Sequence, residues 1–224
     1  DADSTTRKEA HQHILDAFKS REIDILVGTQ MIAKGLDFPN VTLVGVITAD
    51  TALNLPDFRA GERSFNLLTQ VAGRSGRSKA GGEVVIQTYM PEHYSIQASQ
   101  GHDYERFYQE EIAYREQLLY PPFSHAATIL LRGEVEDEVI KSANALLDRL
   151  EVLQADQFPE VEIRGPVAAP LSKIMGKFRW HFFLRSEYVE KLREFIRQAI
   201  HREPFPIAAT NVDLIVDIDP ISVL

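Results

Sequence analysis

The chain has no cysteine, which excludes disulfide bonds and thiolate zinc sites within its 224 residues. It also has no uninterrupted apolar run of about 18 residues, the length at which a membrane-spanning helix is considered. The first ten residues, DADSTTRKEA, lack the basic and apolar regions of a secretory signal. These absences predict a protein of the reducing cytoplasm with no membrane partner.

Positive charge is also scarce. The 24 Lys and Arg residues are outnumbered by 33 Asp and Glu residues, which gives a formal net charge of −9. Such a charge repels phosphate, so any binding of nucleic acid must be local. A hydrophobic fraction of 44% and a charged fraction of 25% are ordinary for a globular protein and argue against disorder. The length fits one large domain or, more readily, two ordinary ones.

Metal and nucleophile signatures are missing as well. The seven histidines are scattered, and the sequence has neither an HExxH motif nor a His/Asp cluster. It has no GxSxG elbow either. We therefore predict no metal site in this chain.

The first half alternates short apolar runs with polar segments. The runs IDILVGT (Ile23 to Thr29) and VTLVGVITAD (Val41 to Asp50) predict buried parallel strands, and GEVVIQTYM after Gly81 predicts a third. With helices between them, these strands indicate an open α/β sheet. Sites in such sheets lie at the carboxyl ends of the strands, the expected position of Thr29, Lys34, Asp37 and Asp50.

Polar residues at these strand ends suit a nucleotide or a nucleic acid. Thr29 and Gln30 offer a hydroxyl and an amide, which suit a sugar-phosphate backbone. Lys34 adds a positive charge beside Gly35, where the backbone can bend. Asp37 could accept a hydrogen bond from a ribose hydroxyl or orient an arginine. The alternatives are a solvated Lys34 and a turn that begins at Asp37.

The segment QVAGRSGR, Gln70 to Arg77, ends an amphipathic run that begins near Arg59. Arg74 and Arg77 are three residues apart and share a helix face. Each follows a glycine, which lowers helix stability but lets a ligand approach the backbone closely. Guanidinium groups stay charged and bind phosphate bidentately, so this face suits phosphate. The alternative is a C-terminal helix turn with solvated arginines.

The second half follows a charged and aromatic helical run, Gly101 to Tyr120, which Pro121-Pro122 stops. Beyond the prolines HAATILLRG (His125 to Gly133) predicts a strand, VEIRGP predicts a short strand followed by a Pro- and Ala-rich loop, and KFRWHFFLR (Lys177 to Arg185) predicts another strand. With the helices between them the pattern is β-α-β-β-α-β, typical of the split βαβ, ferredoxin-like fold. We predict an α/β lobe over 1–100, a connecting helix over 101–121, and a smaller α+β domain over 122–224.

One segment of this domain is unusually basic. Residues 163–186 contain no Asp or Glu, while basic residues alternate with aromatic ones. We call residues 163–186 the basic aromatic segment. Such a mixture suits single-stranded or forked DNA, or the acidic tail of a protein partner. The candidate contacts are Lys173, Lys177 and Arg179. Strand alternation offers another interpretation, in which the aromatic face is core and the basic face is solvated.

Several blocks together resemble a known family. DILVGTQMIAKGLDFPNVTLV and QVAGRSGR resemble the fifth and sixth motifs of superfamily 2 helicases, which belong to the second RecA-like lobe. The blocks ADTALNLPDFRAGERSFNLLTQ and HDYERFYQEEIAYREQLLYPPF narrow the resemblance to the primosomal replication-restart helicases. The resemblance covers essentially the whole chain, and the PDFRAGER and YPPF blocks argue against an RNA helicase.

The resemblance implies roles for the candidate residues. Arg77 and Arg74 would reach the γ-phosphate of ATP, and Arg77 is the first choice for the arginine finger. Gln70 would sense the nucleotide, while Gly35 and Asp37 would line the cleft. Contacts to the translocating DNA strand would come from Thr29, Gln30 and Lys34.

The resemblance also implies parts that this sequence lacks. It has no GxxxxGK[ST] phosphate loop and no DExH box, so ATP and Mg²⁺ would be held mainly by an absent first lobe. The zinc-binding cysteine insertion of the family is absent too. We therefore expect the C-terminal half of a 3′-to-5′ DNA helicase, inactive alone.

Expected partners are forked and single-stranded DNA, the tail of single-stranded-DNA-binding protein, and other primosome proteins. The rival hypothesis is a non-catalytic nucleic-acid or protein-binding module with a vestigial helicase lobe.

Overall fold

The computed structural model describes residues 8–29, 41–75, 82–201 and 211–223, without the side chains of 8–11, 74, 75 and 201. The chain divides into two compact units, which are described separately. The first unit comprises Asp1–Asn54 and Gly61–Tyr108, and the second comprises Leu55–Ala60 and Gln109–Leu224.

The first unit is an α/β layer around a parallel strand pair. Its elements are α1 (Lys8–Lys19), β1 (Leu43–Val46), α2 (Asp50–Leu53), α3 (Ala60–Ser75), β2 (Glu83–Ile86), α4 (Tyr94–Gln100) and the start of α5 (Tyr104–Gln117). β1 and β2 pair in parallel, from Leu43 opposite Glu83 to Val46 opposite Ile86. Parallel neighbours need a long crossover, and α3 lies within that crossover. The predicted parallel α/β lobe is confirmed.

One predicted strand differs from the structure. Residues 25–29 carry no strand pairing among the described residues, and Ile25 and Val27 are 77% and 80% exposed. A buried parallel strand needs neighbours that cover it. The described part of this sheet contains only β1 and β2, so the apolar run from Ile23 to Thr29 is not covered there.

The apolar stripe of α3 fixes the orientation of that helix. Phe65, Leu68 and Val71 are buried along it. The ring of Phe65 stacks on Phe107 of α5 with centroids 4.3 Å apart and an interplanar angle of 8°. Leu68 packs with Ile96 in a separate cluster. These contacts lie on one side of α3, whereas Asn66 and Gly73 of the same helix are exposed.

The second unit has the predicted split βαβ fold. After the rest of α5 come β3 (His125–Gly133), α6 (Glu136–Gln157), β4 (Glu162–Ile174), β5 (Lys177–Ser186), α7 (Val189–His201) and β6 (Asp213–Ile218). The sheet order is β4-β5-β3-β6, and every neighbouring pair is antiparallel. Each helix connects two strands with a third strand between them, which defines the split βαβ arrangement.

Both helices pack on one face of this sheet. The core joins Ile129 and Leu131 of β3, Phe182 and Leu184 of β5, and apolar residues of α6 and α7. The opposite sheet face therefore carries the alternate residues of each strand. We call it the open face, and it presents Lys177, Arg179 and His181 of β5.

β4 is longer than predicted. The sequence indicated a short strand and then a Pro- and Ala-rich loop, but β4 continues to Ile174 with register shifts after Arg164 and after Ala168. Pro166 and Pro170 lie within these irregular stretches. β4 is an edge strand, where prolines are tolerated because one side needs no ladder hydrogen bond.

Candidate functional site

The C-terminal half of α3 carries the first candidate site. Gln70 is half-buried beside the core stripe. Position 74 follows one turn later in the same helix, and positions four apart share a helix face. α3 therefore brings positions 70 and 74 to one side. Arg77, the first choice for the finger, lies outside the described residues.

Gly73 lies between these two positions and is exposed. A Cβ built at Gly73 would meet no atom within 4 Å among the described residues. Glycine in a helix interior costs about 0.5–1 kcal/mol relative to alanine. Packing within the described residues does not require this glycine, whereas close approach of a ligand to the helix would.

The strand-end candidates fall mostly outside the described residues. Gln30, Lys34, Gly35 and Asp37 all lie there. Thr29 is described and exposed, and it belongs to no helix or strand. Its proposed contact with DNA thus stays a prediction.

Asp50 lies beyond the end of β1, as expected, but its carboxylate is engaged within the first unit. It is 4% exposed, accepts a hydrogen bond from Thr88 Oγ1 at 2.7 Å, and accepts the Tyr89 N–H at 3.1 Å. The hydrogen bond from Thr88 is the main cause that lowers the pKa of Asp50. Asp50 therefore holds the ends of β1 and β2 together.

The open face of the second unit is the second candidate site. Phe182 is fully buried, and Trp180 packs against the core, on the side opposite Lys177 and Arg179. The interpretation of the basic aromatic segment as core on one face is correct for these two rings. Trp180 and Phe182 face the core, so the ligand chemistry of this face rests on its cations.

Lys173 lies apart from the other two predicted contacts. It is opposite Phe178 in the β4-β5 register, and its Nζ is 4.0 Å from the centre of that ring. Cross-strand partners share a face, while Phe178 alternates with Lys177 and Arg179. Lys173 is therefore on the other side of the hairpin, and the three cations do not form one patch.

The open-face cations have partners within the second unit. Lys177 Nζ is 2.8 Å from Asp213 Oδ2, and Arg132 Nε is 3.1 Å from the same oxygen. These cations lower the pKa of Asp213, with the hydrogen bond from Lys177 as the largest cause. Arg179 Nη1 donates to the Leu171 carbonyl at 3.0 Å. Exposed ion pairs are worth only about 0–1 kcal/mol, so phosphate can compete for these cations.

A small cavity of about 130 Å³ lies on the open face, lined by Thr128, Arg179, His181, Asp217 and neighbouring side chains. The Nδ1 of His181 is buried there and has no hydrogen-bond partner in the described part of the chain. Burial is the main cause that lowers the pKa of His181, and the charge of Arg179 adds to it. His181 is therefore neutral at pH 7.

Two of the sequence blocks that carry the family resemblance contact each other, which their sequences did not predict. Phe58, in PDFRAGER, stacks on Tyr120, in YPPF, with centroids 5.1 Å apart and an interplanar angle of 7°. Both residues belong to the second unit, although Phe58 precedes α3 in sequence. The only sequence signal for this contact was that each block contains an aromatic residue, Phe58 in one and Tyr120 in the other.

The described ranges contain neither a metal-binding cluster nor a membrane-spanning helix. No group of three or more His, Asp or Glu side chains in the described ranges is placed to hold a metal ion. Within those ranges, each helix is too short or too polar to span a bilayer.

Two family models match the chain. Residues 2–79 match a helicase conserved C-terminal domain, and residues 116–221 match a primosomal protein N C-terminal domain. The two matches fall on the α/β part and the split βαβ part of the chain, respectively.

Individual relatives agree with these matches. The chain is 44% identical over 220 residues to replication restart protein PriA of Bacillus subtilis, covering 98% of this chain and 27% of the relative. It is 42% identical over 225 residues to the protein of that name from Synechocystis, covering 100% of this chain and 26% of the relative. For the Treponema pallidum protein, identity is 38% over 226 residues, 99% of this chain and 33% of the relative. The chain thus spans between a quarter and a third of these relatives' length.

Proposed function

The chain belongs to the replication restart protein PriA family, and we propose that it forms the C-terminal part of an ATP-dependent DNA helicase that acts in replication restart. One observation carries this proposal. The crossover helix of a parallel α/β unit, α3, ends at Ser75 within the segment QVAGRSGR, and its core stripe leaves positions 70 and 74 on a separate face. The family name supports the restart role, and the α/β unit supports the motor role.

The proposed chemistry is phosphoryl transfer from ATP to water. Arg77 would act as the arginine finger that stabilises charge on the γ-phosphoryl group, with Arg74 beside it. Gln70, Gly35 and Asp37 would contact or sense the nucleotide. This assignment is supported by the helix register at positions 70 and 74 and by the exposed Gly73, which permits close approach.

Mg²⁺ would neutralise the phosphate oxygens during this transfer. No group of acidic side chains among the described residues is placed to hold Mg²⁺. We propose that the first motor lobe supplies the phosphate loop and the Mg²⁺ site. The zinc ion expected in the full-length family member would be bound by cysteines outside these 224 residues, which contain none.

We propose two sets of DNA contacts. Thr29, Gln30 and Lys34 would contact the strand along which the motor translocates, with 3′-to-5′ polarity. Lys177 and Arg179 on the open face, and Lys173 behind them, would contact forked DNA or the acidic tail of single-stranded-DNA-binding protein. The exposed ion pair of Lys177 with Asp213 is weak in solvent, so phosphate can displace Asp213, and this supports the proposed role. Primosome proteins are the other proposed partners, and the cytoplasm is the proposed compartment.

The test is Arg77→Ala in the full-length protein. We expect ATP turnover in the presence of DNA to fall by about 10³-fold, with DNA affinity kept, because an arginine finger acts on the transition state. Arg193→Ala is the matched control, since Arg193 is an exposed arginine of α7 in the second unit. Unchanged turnover in the Arg77 variant would favour the non-catalytic binding module instead.

A further inference from the structure

The segment Pro56 to Arg59, which we call the PDFR segment, precedes α3 in sequence but makes its contacts in the second unit. Asp57 is 7% exposed, and its side chain accepts hydrogen bonds of 3.3 Å from both Ser222 Oγ and the Val223 N–H. Its carbonyl accepts the Ala60 N–H at 2.9 Å, at the first residue of α3. Asp57 therefore ties the start of α3 to the residues that follow β6.

Phe58 forms a second tie through its ring. It lies nearly parallel to Tyr120 at 5.1 Å, within the range of aromatic stacking. The guanidinium carbons of Arg59 and Arg115 are 5.1 and 5.4 Å from the Phe58 ring centre. Cations at these distances are attracted to the ring face. The PDFR segment is thus held by aromatic and charged groups of the second unit.

These groups are themselves fixed. Arg115 is 2.6 Å from Glu111 and donates to the Pro121 carbonyl at 3.3 Å. The guanidinium carbon of Arg185 lies 5.4 Å from the Tyr120 ring, and Arg185 also donates to the Leu119 carbonyl at 3.0 Å. Tyr120 is therefore held between Phe58 and a residue of β5.

β5 also carries the open-face candidates. Arg185 lies on the same face of the strand as Lys177 and Arg179, by strand alternation. A continuous set of contacts consequently runs from that strand through Arg185 and Tyr120 to Phe58. From Phe58 the chain enters α3 directly, and positions 70 and 74 lie in the C-terminal half of the same helix.

We propose that Phe58 and Tyr120 are positioning residues that couple DNA on the second unit to the placement of α3, and hence to ATP turnover. This inference rests on the proposed function. A ligand bound to the second unit can change the placement of α3 only if it binds two conformations of the protein with different affinities. The stacked pair is the contact through which that difference would reach the helix. Neither ring touches ATP or DNA in this proposal.

The experiment uses the full-length protein with Phe58→Leu, Tyr120→Leu and the double variant. Each leucine removes the stack but keeps an apolar side chain. We expect turnover without DNA and affinity for forked DNA to stay within about twofold, while turnover at saturating DNA falls about tenfold, an ordinary coupling strength. Because both residues act through one contact, the double variant should lose no more than either single variant.

Two controls make the result specific. Tyr120→Phe keeps the ring and should retain wild-type stimulation, whereas Tyr188→Leu removes a tyrosine that is 60% exposed elsewhere in the second unit and should change nothing. Melting temperature is measured for every variant.

Three outcomes would overturn the inference. Undiminished stimulation in the folded Phe58→Leu protein would mean that the stack transmits nothing. Additive losses in the double variant would mean independent effects. Equal loss of turnover with and without DNA, together with a lower melting temperature, would mean a purely structural role. Failure of the wild-type protein to hydrolyse ATP would instead refute the proposed function itself.

Discussion

The Oγ1 of Thr88 donates a hydrogen bond of 2.7 Å to the carboxylate of Asp50, and so joins the chain after β2 to the chain after β1. The Tyr89 N–H reaches both oxygens of the same carboxylate at 3.1 Å. This edge of a parallel sheet is where α/β proteins bind ligands. Asp50 therefore holds these two chain segments together, a role that needs no contact with a ligand.

Asp50→Ala is expected to lower the stability of the first unit, because the Thr88 hydroxyl and the Tyr89 N–H lose their acceptor. Urea unfolding followed by fluorescence measures the change, and Asp148→Ala, at an exposed acid of α6, is the control. The wild type should keep this stabilisation above pH 4 and lose it as pH falls through the lowered pKa of Asp50. Equal midpoints for the two variants would contradict this role.

Gly73→Ala is expected to separate stability from activity. Alanine meets no atom within 4 Å among the described residues, so it should stabilise α3 by about 0.5–1 kcal/mol. If Gly73 serves close approach of the nucleotide, ATP turnover of the full-length protein should fall even as the melting temperature rises. A variant that is both more stable and fully active would show that the position is free of ligand.

Lys177→Glu with Arg179→Glu should weaken binding to forked DNA or to an acidic tail peptide, measured by fluorescence anisotropy at several salt concentrations. The control is Lys191→Glu with Arg193→Glu, which makes the same charge change on exposed residues of α7. Because phosphate contacts release counterions, the salt dependence should also become shallower for the open-face variant only. Equal losses in both variants would indicate a general effect of net charge.

Stability should decline between pH 7 and pH 5 because of His181. Its lowered pKa keeps the folded state neutral, while the unfolded chain takes up a proton near pH 6.5, so acid favours unfolding. His181→Gln should reduce this decline, measured as urea midpoints across that range. His102→Gln, at an exposed histidine, should not. A decline of the same size in both variants would mean that His181 is accessible to protons.

Residues 1–224 alone are expected to show no DNA-stimulated ATP hydrolysis, because phosphoryl transfer needs groups from both sides of the nucleotide and this sequence has no phosphate loop. A phosphate-release assay with forked DNA tests this. Turnover that disappears in Arg77→Ala of the same 224 residues would contradict the two-lobe proposal.

Local pattern predicted the second unit well. β3 was predicted from His125 to Gly133, the bounds it has, and the start of β5 at Lys177 was also correct. In both strands, side chains that point to the helix-covered core alternate with side chains on the open face, which makes the pattern easy to recognise. β4 was predicted too short because proline was taken as a strand stop, whereas an edge strand accommodates it at irregular positions.

Non-local contacts were beyond local pattern. The stack of Phe58 on Tyr120 joins residues on either side of α3, and no periodicity connects them. The side of the hairpin that holds Lys173 depends on register shifts in β4, which composition does not reveal. In the first unit, an apolar run such as Ile23 to Thr29 indicates a strand but not the neighbours that would cover it.

The passage of the chain through the second unit at Leu55–Ala60 has a practical consequence for dissection of this protein. A truncation that begins at Gln109 would remove Asp57 and Phe58. Tyr120 would lose its stacking partner, and Ser222 after β6 would lose its hydrogen-bond acceptor. Such a fragment would expose to water the face of the Tyr120 ring that Phe58 covers. A faithful excised form would have to carry the six missing residues as a grafted peptide.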